Sequence, residues 1–430
     1  MTTEHRFDQD LPDLLAQVAQ APAPDYRDLI VQQTARTRQR PAWTFPERWL
    51  PMSTVTSRAV VAPRFPLRVV AVAAFLLIVL IVGAALLAGS QHRLPAPFGP
   101  ARNGLVTYAS NGDIYTVDAV SGRSAVVVNG PGNVDPRWSR DGTHLVFERQ
   151  DVVSGRGLVY VARADGSDPT QVTPDSLAGI TTYSFSPDGK DVLIAATANG
   201  VPAVFIAAAD GSGIRRLDLP GRVTDAAWRP PDGSEILFMD DGADSSGTDS
   251  GIYAVNVRDG KVRTILKAAD AEGRFRGHPL WSPDGSRISF GEWMGVGPDL
   301  ETHVITADGT GDRVLPIPSN GVTQAPISLS NDGTRLLVVR GYPGGFDQSR
   351  AAIVPVDGSG SGFEIAYPGG FDTGGIFDWE WAPDDASILG TPVDASGSTL
   401  HQVLLDLGTG SSRTVPWASV SQPSWQRVVP

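Results

Sequence analysis

The ten residues from Trp281 to Phe290, W-S-P-D-G-S-R-I-S-F, contain the pattern that decides the fold. Pro283 sets φ for the first corner of a turn, Asp284 can hydrogen-bond the nearby backbone, and Gly285 accepts the left-handed conformation that ends a bulged hairpin loop. After the turn, R-I-S-F alternates polar and apolar side chains with the period of a half-buried strand, and Trp281 is a large apolar anchor in front of it. The stretch therefore predicts one hairpin of an antiparallel sheet.

Variants of this hairpin recur along the C-terminal three-quarters of the chain. After each complete copy comes an apolar strand, and then a second turn, usually Asp-Gly, that leads into a fourth short strand. The anchors at positions 138, 185, 228, 281, 329, 381 and 425 are separated by 47, 43, 53, 48, 52 and 44 residues, which is the period of four-stranded propeller blades. The motif residues, to which we assign a structural role within and between blades, are Trp138, Asp141, Gly142, Phe185, Asp188, Gly189, Trp228, Asp232, Gly233, Trp281, Asp284, Gly285, Asp332, Gly333, Trp381 and Trp425.

The two ends of the repeat region together predict one further blade. Residues 105–128 have the pattern of the last three strands of a blade, and Gln422 to Val428 has the pattern of a first strand. Joining them adds a composite blade to the six whole repeats, and the pairing of terminal strands removes an exposed sheet edge. The sequence therefore predicts an all-β, seven-bladed β-propeller closed by its terminal strands, with six or eight blades as the alternatives.

The repeats resemble those of TolB-type propeller proteins, also called WD40-like or PD40 repeats, in which an aromatic residue precedes S-P-D-G and an apolar strand. The resemblance covers residues 104–430. Two copies depart from the motif, because Leu329 replaces the aromatic residue and Asp385 stands where glycine is expected. We expect the two blades that contain them to be looser. Propellers of this kind also precede the catalytic domain of prolyl-oligopeptidase-like peptidases, but too few residues follow Trp425 for us to expect such a domain.

A membrane anchor is predicted at Val69 to Gly89, where 21 residues contain no charged side chain. As a helix this segment would extend roughly 32 Å, enough for a hydrocarbon core of about 30 Å. It begins too far from the N-terminus for a cleaved signal peptide, and a buried soluble helix is the alternative. Arginines are more frequent before the segment than after it, so the positive-inside rule predicts a cytoplasmic N-terminus and an extracytoplasmic propeller.

The N-terminal tail contains two short amphipathic helical patterns, around Leu11 to Val18 and Tyr26 to Ile30. In Arg36 to Pro51, arginines alternate with aromatic residues, which suits the lipid headgroup region better than partner binding or nucleic acid. The tail resembles the cytoplasmic end of membrane-anchored anti-sigma factors, which implies a cytoplasmic protein partner. The zinc motif of many such proteins is absent, since His5 is the only histidine of the tail and the chain has no cysteine. The predicted organisation is 1–68 tail, 69–89 transmembrane helix, 90–103 proline-rich stalk and 104–430 propeller.

Charge and residue usage argue against several kinds of chemistry. The formal net charge is -12, and because residues 1–68 contribute about +2 the remainder carries about -14, so we expect no nucleic-acid partner. The absence of cysteine excludes disulfides and cysteine-ligated metals. Six dispersed histidines form no zinc motif, and there is no G-x-S-x-G sequence. We therefore predict no catalytic residue, cofactor or metal site. For Asp240 to Ser250 a flexible loop is favoured, with a divalent-ion site as the alternative.

These features indicate a single-pass membrane protein that binds rather than catalyses. The expected ligand is a protein, peptide or cell-envelope component bound by the propeller, with signalling to a cytoplasmic partner through the tail. An envelope scaffold without signalling and a propeller hydrolase or lyase are the alternatives. Because propellers bind through irregular loops on one face and through the central channel, the candidate contact regions are Gly291 to Pro298, Tyr342 to Phe346 and Tyr367 to Thr373.

Overall fold

The computed structural model describes most of the region of predicted repeats. The described residues are 98–151, 153–198, 200–221, 223–240, 251–267, 274–294, 300–342, 350–365, 375–393, 402–417 and 422–428. In this part of the chain no helix is long and apolar enough to cross a membrane. The predicted tail helices and the predicted anchor at 69–89 lie outside the described residues.

Twenty-eight strands form seven antiparallel four-stranded sheets, which are the blades of the propeller. Blade 1 consists of β1 (Arg102–Ser110), β2 (Asp113–Val117), β3 (Ser124–Val128) and β28 (Ser424–Val428). Blade 2 consists of β4 (Asn133–Trp138), β5 (His144–Gln150), β6 (Gly157–Arg163) and β7 (Thr170–Gln171). Blade 3 consists of β8 (Ala178–Phe185), β9 (Asp191–Ala198), β10 (Val201–Ala208) and β11 (Ile214–Arg216).

The other four blades follow the same order along the chain. Blade 4 consists of β12 (Val223–Trp228), β13 (Glu235–Asp240), β14 (Gly251–Asn256) and β15 (Val262–Leu266). Blade 5 consists of β16 (Arg274–Trp281), β17 (Arg287–Met294), β18 (Leu300–Thr306) and β19 (Arg313–Val314). Blade 6 consists of β20 (Thr323–Leu329), β21 (Arg335–Gly341), β22 (Arg350–Pro355) and β23 (Phe363–Glu364). Blade 7 consists of β24 (Gly375–Trp381), β25 (Ser387–Val393), β26 (Val403–Asp406) and β27 (Ser412–Thr414).

The ring closes where β28 pairs antiparallel with β1 in blade 1. Val106 lies opposite Trp425, and Thr107 lies opposite Ser424. The innermost strand of this blade therefore comes from the C-terminal end of the described chain and the other three from its beginning. This pairing confirms the predictions of seven blades and of closure by terminal strands.

The hairpin at Trp281 shows how the motif builds a blade. Trp281 pairs with Ile288 across the turn, and the Gly285 N–H donates to the Ser282 carbonyl at 2.8 Å. Gly285 has a φ of 66°, and a Cβ on it would lie 2.0 Å from the Pro230 carbonyl oxygen of the neighbouring blade. Glycine is therefore required here both for the turn conformation and for the approach of adjacent turns.

The hydrophobic core lies between blades, where anchor residues contact the preceding sheet. Trp281 of blade 5 is 7% exposed and packs in one cluster with Leu237 and Ile252 of blade 4. Trp425 of blade 1 packs in the same way with Leu389 of blade 7. Each sheet thus buries its face against a neighbour, which is how a ring of small sheets forms a core.

The two departures from the repeat motif lie in adjacent blades, 6 and 7. Asp385 adopts the left-handed conformation of the missing glycine, with a φ of 58°. Its carboxylate accepts hydrogen bonds from the backbone N–H groups of Asn331 and Asp332 at 2.7 and 2.8 Å. Asn331 occupies the position of the motif proline, which has no N–H to donate. Blade 7 is therefore tied to blade 6 at a point where we expected a looser contact.

Candidate functional site

The first strands of the blades surround the central channel, and in blades 2 to 7 each contains a β-bulge. Pairing shifts between Val134 and Arg137 in β4, between Val223 and Ala226 in β12, and between Gly277 and Leu280 in β16. Shifts also occur in β8, β20 and β24. A bulge re-aims the side chains next to it, so bulges in the first strands of successive blades change what the channel wall presents.

Two bulge residues have a backbone conformation that is unusual for their type. Asp135 has a φ of 47° and His278 a φ of 52°. A non-glycine residue in the left-handed region costs on the order of 1–3 kcal/mol, and such residues cluster at binding and active sites. The bulges therefore mark this level of the channel as the candidate site.

A cavity of about 430 Å³ lies in the channel at the level of the bulges. Its wall includes the residue three positions before the anchor in five blades, namely Thr182, Asp225, His278, Pro326 and Gln422. Apolar side chains, among them Ala226, Leu280 and Ile327, separate these groups. A concave wall that combines apolar side chains with convergent polar groups is the usual form of a small-ligand site.

One carboxyl group on the wall is in an unusual electrostatic environment. Burial raises the pKa of Glu380 to about 7, while a hydrogen bond from the Trp425 backbone and the charges of Arg137, Arg140 and Arg427 act in the opposite direction. Desolvation dominates because the charged form of a carboxyl group loses water on burial. Glu380 is therefore poised to exchange a proton near neutral pH.

The arginines near Glu380 are held by other groups of the propeller. Arg137 donates through Nη2 to Gln422 Oε1 at 2.9 Å, and Arg427 donates through Nη1 to Asn331 Oδ1 at 2.5 Å. The Cζ of Arg140 lies 5.0 Å from the ring centroid of Phe98, and burial lowers the pKa of Arg140 to about 9. These cations lie beside the cavity, and none of them lines it.

The segment Phe98 to Ala101 lies against the inner rim of the propeller at the end where the S-x-D-G turns are found, here called the turn face. Arg427 Nη2 donates to the Gly99 carbonyl, and the Ala101 N–H donates to the Pro383 carbonyl at 2.7 Å. Because the strands of each blade are antiparallel, the connections between second and third strands lie at the opposite end, here called the loop face. Residues 98–101 thus lie against the propeller at the turn face.

The motif residues predicted from the sequence lie in individual blades and are not brought together. Asp284 accepts hydrogen bonds from the side chains of Ser282 and Ser286, at 2.5 and 2.7 Å. Asp141, Asp188, Asp232 and Asp332 likewise bond residues of their own turns. The anchors Trp138, Trp228, Trp281, Trp381 and Trp425 are buried. The cavity residues Asp225, His278 and Glu380 were not among the predicted site residues.

Two further sequence predictions concern metal ligands and the loop contact regions. Among the residues described, no group of three or more His, Asp or Glu side chains is placed to hold a metal ion. Of Asp240 to Ser250, only Asp240 lies within the described chain. Three candidate contact regions were predicted, at 291–298, 342–346 and 367–373. Residues 295–298, 343–346 and 367–373 of these regions lie outside the described residues.

Comparisons with known proteins place the fold but not the activity. No protein-family model matches the chain. The uncharacterized peptidase YuxL of Bacillus subtilis (strain 168) is 26% identical over 190 residues, which cover 43% of this chain and 25% of that protein. The chain therefore spans about a quarter of the length of this curated relative.

Two solved structures illustrate the likeness of the propeller. An oligogalacturonate lyase from Vibrio parahaemolyticus is 14% identical with a TM-score of 0.54, over 73% of this chain and 86% of that one. TolB from Acinetobacter baumannii is 14% identical with a TM-score of 0.47, over 75% of this chain and 81% of that one. At such identities the likeness concerns the fold alone.

Proposed function

We propose that this chain is a membrane-anchored binding or sensor protein whose extracytoplasmic propeller takes a protein, peptide or cell-envelope ligand in its channel. The observation that carries the proposal is the cavity of about 430 Å³, where polar groups from several blades converge. The ligand enters from the loop face, since Phe98 to Ala101 occupies part of the rim at the turn face. Binding is then reported through the membrane to a cytoplasmic partner of the tail.

A propeller hydrolase or lyase is the second candidate, and one observation favours it. Glu380 has a pKa raised to about 7 by burial and shares a cavity with Asp225 and His278. A general acid or base works best when its pKa is near the working pH. We rank binding first because the motif carboxylates lie in separate turns, where they bond residues of their own turn.

The membrane topology can be tested with single cysteines, because the chain has none of its own. Val262→Cys places a thiol on the outer strand β15, where the side chain is 39% exposed, and Thr3→Cys places one in the tail. In intact cells a membrane-impermeant maleimide should label the Val262→Cys protein only, and the Thr3→Cys protein should react after lysis. Labelling of the tail in intact cells would contradict the proposed orientation.

The place of ligand binding can be tested with the same approach. Thr182→Cys puts a thiol on the cavity wall, and Val262→Cys is the matched control away from the channel. A benzophenone maleimide on position 182 should capture a discrete product in the cell envelope that the label on position 262 does not. Equal products from both positions would show that the channel is not the binding place.

The scaffold alternative differs in its dependence on the tail. A signalling protein should lose its output when residues 1–60 are deleted and the anchor and propeller are kept. An envelope scaffold should keep its phenotype after the same deletion. A crosslinking pull-down carried out separately on the tail and on the propeller would then identify which part holds which partner.

A further inference from the structure

The wall of the channel cavity is acidic although cations lie close behind it. Its charged groups are Asp225 in blade 4 and Glu380 in blade 7, and no lysine or arginine lines it. In a ring of seven blades these two blades are on opposite sides of the channel. Both blades therefore contribute a carboxyl group to the wall of the same cavity.

Asp225 has no partner for its charge within the described chain. It is half-buried, and it makes no hydrogen bond or ion pair with any described residue. A cation bound next to such a carboxylate would supply the partner that the described chain does not. By contrast, the charge of Glu235 in the same blade is met by Arg229 and Arg263 at 2.7 and 2.6 Å.

From this arrangement we propose that the cavity binds a cationic aliphatic group, namely an ammonium group on an alkyl chain such as a lysine side chain, between Asp225 and Glu380. The inference rests on the proposed function, because it names the ligand chemistry of the same channel. The apolar part of the wall, including Ala227, Leu280 and Ile327, faces the methylene groups of such a ligand. Amphipathic cationic side chains bind in this way, with the chain on apolar surface and the head on a polar group.

Three arginines act electrostatically on Glu380, namely Arg137, Arg140 and Arg427, but none of them lines the cavity. Arg137 is bonded to Gln422 and lies over the ring of Tyr183, with 5.6 Å from its Cζ to the ring centroid. Arg427 is bonded to Asn331 and Gly99.

Binding should be coupled to a proton on Glu380. The groups that act on this carboxyl are Arg137, Arg140 and Arg427 and the Trp425 backbone, while Asp225 and His278 share the cavity with it. Because its pKa is about 7, part of the population is protonated at neutral pH, and a nearby ammonium group favours the ionised form. An alkylamine has a pKa of about 10.4 and stays charged, so its affinity should rise as the pH increases from 6 to 8.

The test is calorimetric titration of the purified full-length protein with three probes. They are the acetyl-Ala-Lys-Ala-amide peptide, the same peptide acetylated on the lysine Nε, and 1,5-diaminopentane. We expect the lysine peptide to bind at least tenfold more tightly than its acetylated form. Binding of the lysine peptide should also release protons from the protein at pH 7, which is measured by comparing the binding enthalpy in two buffers of different ionisation enthalpy. Tighter binding of the diamine than of the lysine peptide would assign the ligand to free amines, and the reverse order to a protein or peptide.

Matched variants separate the site from general effects on folding. Asp225→Asn should weaken binding of the lysine peptide at least tenfold, whereas Asp218→Asn, at an exposed position in the connection that precedes β12, should not. Glu380→Gln should abolish the proton release. Circular dichroism and thermal unfolding of each variant show whether it is folded, and the wild-type comparison of the two peptides holds whether or not a variant folds.

Equal affinity for the two peptides, or no binding of any probe, would overturn the inference. An equal loss of affinity for the lysine peptide in Asp225→Asn and Asp218→Asn would also overturn it. If the channel label at position 182 captures an envelope ligand while no amine binds, the proposed function stands and the proposed cationic ligand is wrong. If neither experiment gives a product, both are wrong.

Discussion

Asp385 stands where the other blades have glycine, and its partner Asn331 in the preceding blade stands where the motif has proline. The neighbouring Asn331 donates to it through both its backbone N–H and Nδ2, at 2.7 and 2.8 Å, and the Asp332 N–H donates at 2.8 Å. Asp385→Gly keeps the left-handed turn and removes these bonds, so the free energy of unfolding should fall by about 2 kcal/mol, the usual range for hydrogen bonds to a charged group. Urea unfolding measures the loss.

Two further variants show whether the bonds are responsible. Asp385→Asn tolerates the same backbone conformation and keeps one acceptor oxygen, so it should fall between the wild type and Asp385→Gly. Asn331→Pro restores the motif residue and removes both donors of Asn331, its backbone N–H and Nδ2, and it should cost less when combined with Asp385→Gly than alone. A glycine variant as stable as the wild type would show that the bonds contribute nothing.

Glu380 should make stability depend on pH near neutrality. Its pKa in the folded protein is about 7 against an ordinary value of 4.5, so the native state holds more protons than the unfolded state between these pH values. Stability should therefore decrease as the pH rises from 4.5 to 7 and change little from this group above that range. Unfolding free energies at several pH values from 5 to 8 would measure the slope.

The assignment of this slope to Glu380 can be checked by substitution. In Glu380→Gln the side chain can still accept the hydrogen bond from Trp425, but it cannot titrate, so the slope between pH 6 and 7 should become flatter. Asp218→Asn, an exposed control, should leave it unchanged. Parallel slopes in the wild type and in Glu380→Gln would contradict the prediction.

At the scale of the element, the serine of the S-x-D-G turn fixes the hairpin. Ser282 Oγ donates to Asp284 Oδ1 at 2.5 Å and accepts from the Arg287 N–H at 2.9 Å, and Ser186 does the same with Asp188 and Asp191 at 2.7 and 2.9 Å. Replacing either serine by alanine removes both bonds at a partly buried place. We expect each variant to lose about 1–2 kcal/mol in chemical unfolding.

The second turn of a blade provides the comparison. Asp210 is exposed and accepts from the Ser212 N–H at 2.9 Å, so Asp210→Ala should cost less than Ser186→Ala in the same blade. A larger loss of stability in Asp210→Ala than in Ser186→Ala would mean that the first turn does not contribute more to stability than the second.

The hairpins could be predicted from the sequence, but the bulges beside them were not. Turn residues and strand alternation act over a few positions, and their recurrence fixes the blade register. The channel wall depends instead on where each first strand stops pairing regularly. A signal was present in retrospect, because Pro136 and Pro279 lie two residues before their anchors, and proline inside a strand marks a bulge or an edge. These prolines directly follow Asp135 and His278, so they could have been used to predict the bulges at those two residues.

At the scale of the molecule, blade number and closure could be predicted because both follow from counting repeats. The composition of the channel could not, since Asp225 and Glu380 are 155 residues apart (380 minus 225) and line one cavity only after the ring has formed. Likewise, nothing in a single repeat indicates that Arg427 of blade 1 bonds Asn331 of blade 6. Such contacts are set by the ring as a whole.

The last prediction concerns closure itself. Deleting residues 422–430 removes β28 and with it Trp425, which is 5% exposed and packs with Leu389 of blade 7. The edge of β1 then becomes free to pair with another chain. The truncated protein should no longer unfold in a single cooperative transition and should self-associate, as seen by comparing two spectroscopic probes and by light scattering.

Deleting residues 429–430 alone leaves β28 intact and should change neither property. A monomeric truncated protein that unfolds like the wild type would mean that blade 1 does not need its fourth strand, and that the terminal pairing is not what holds the ring closed.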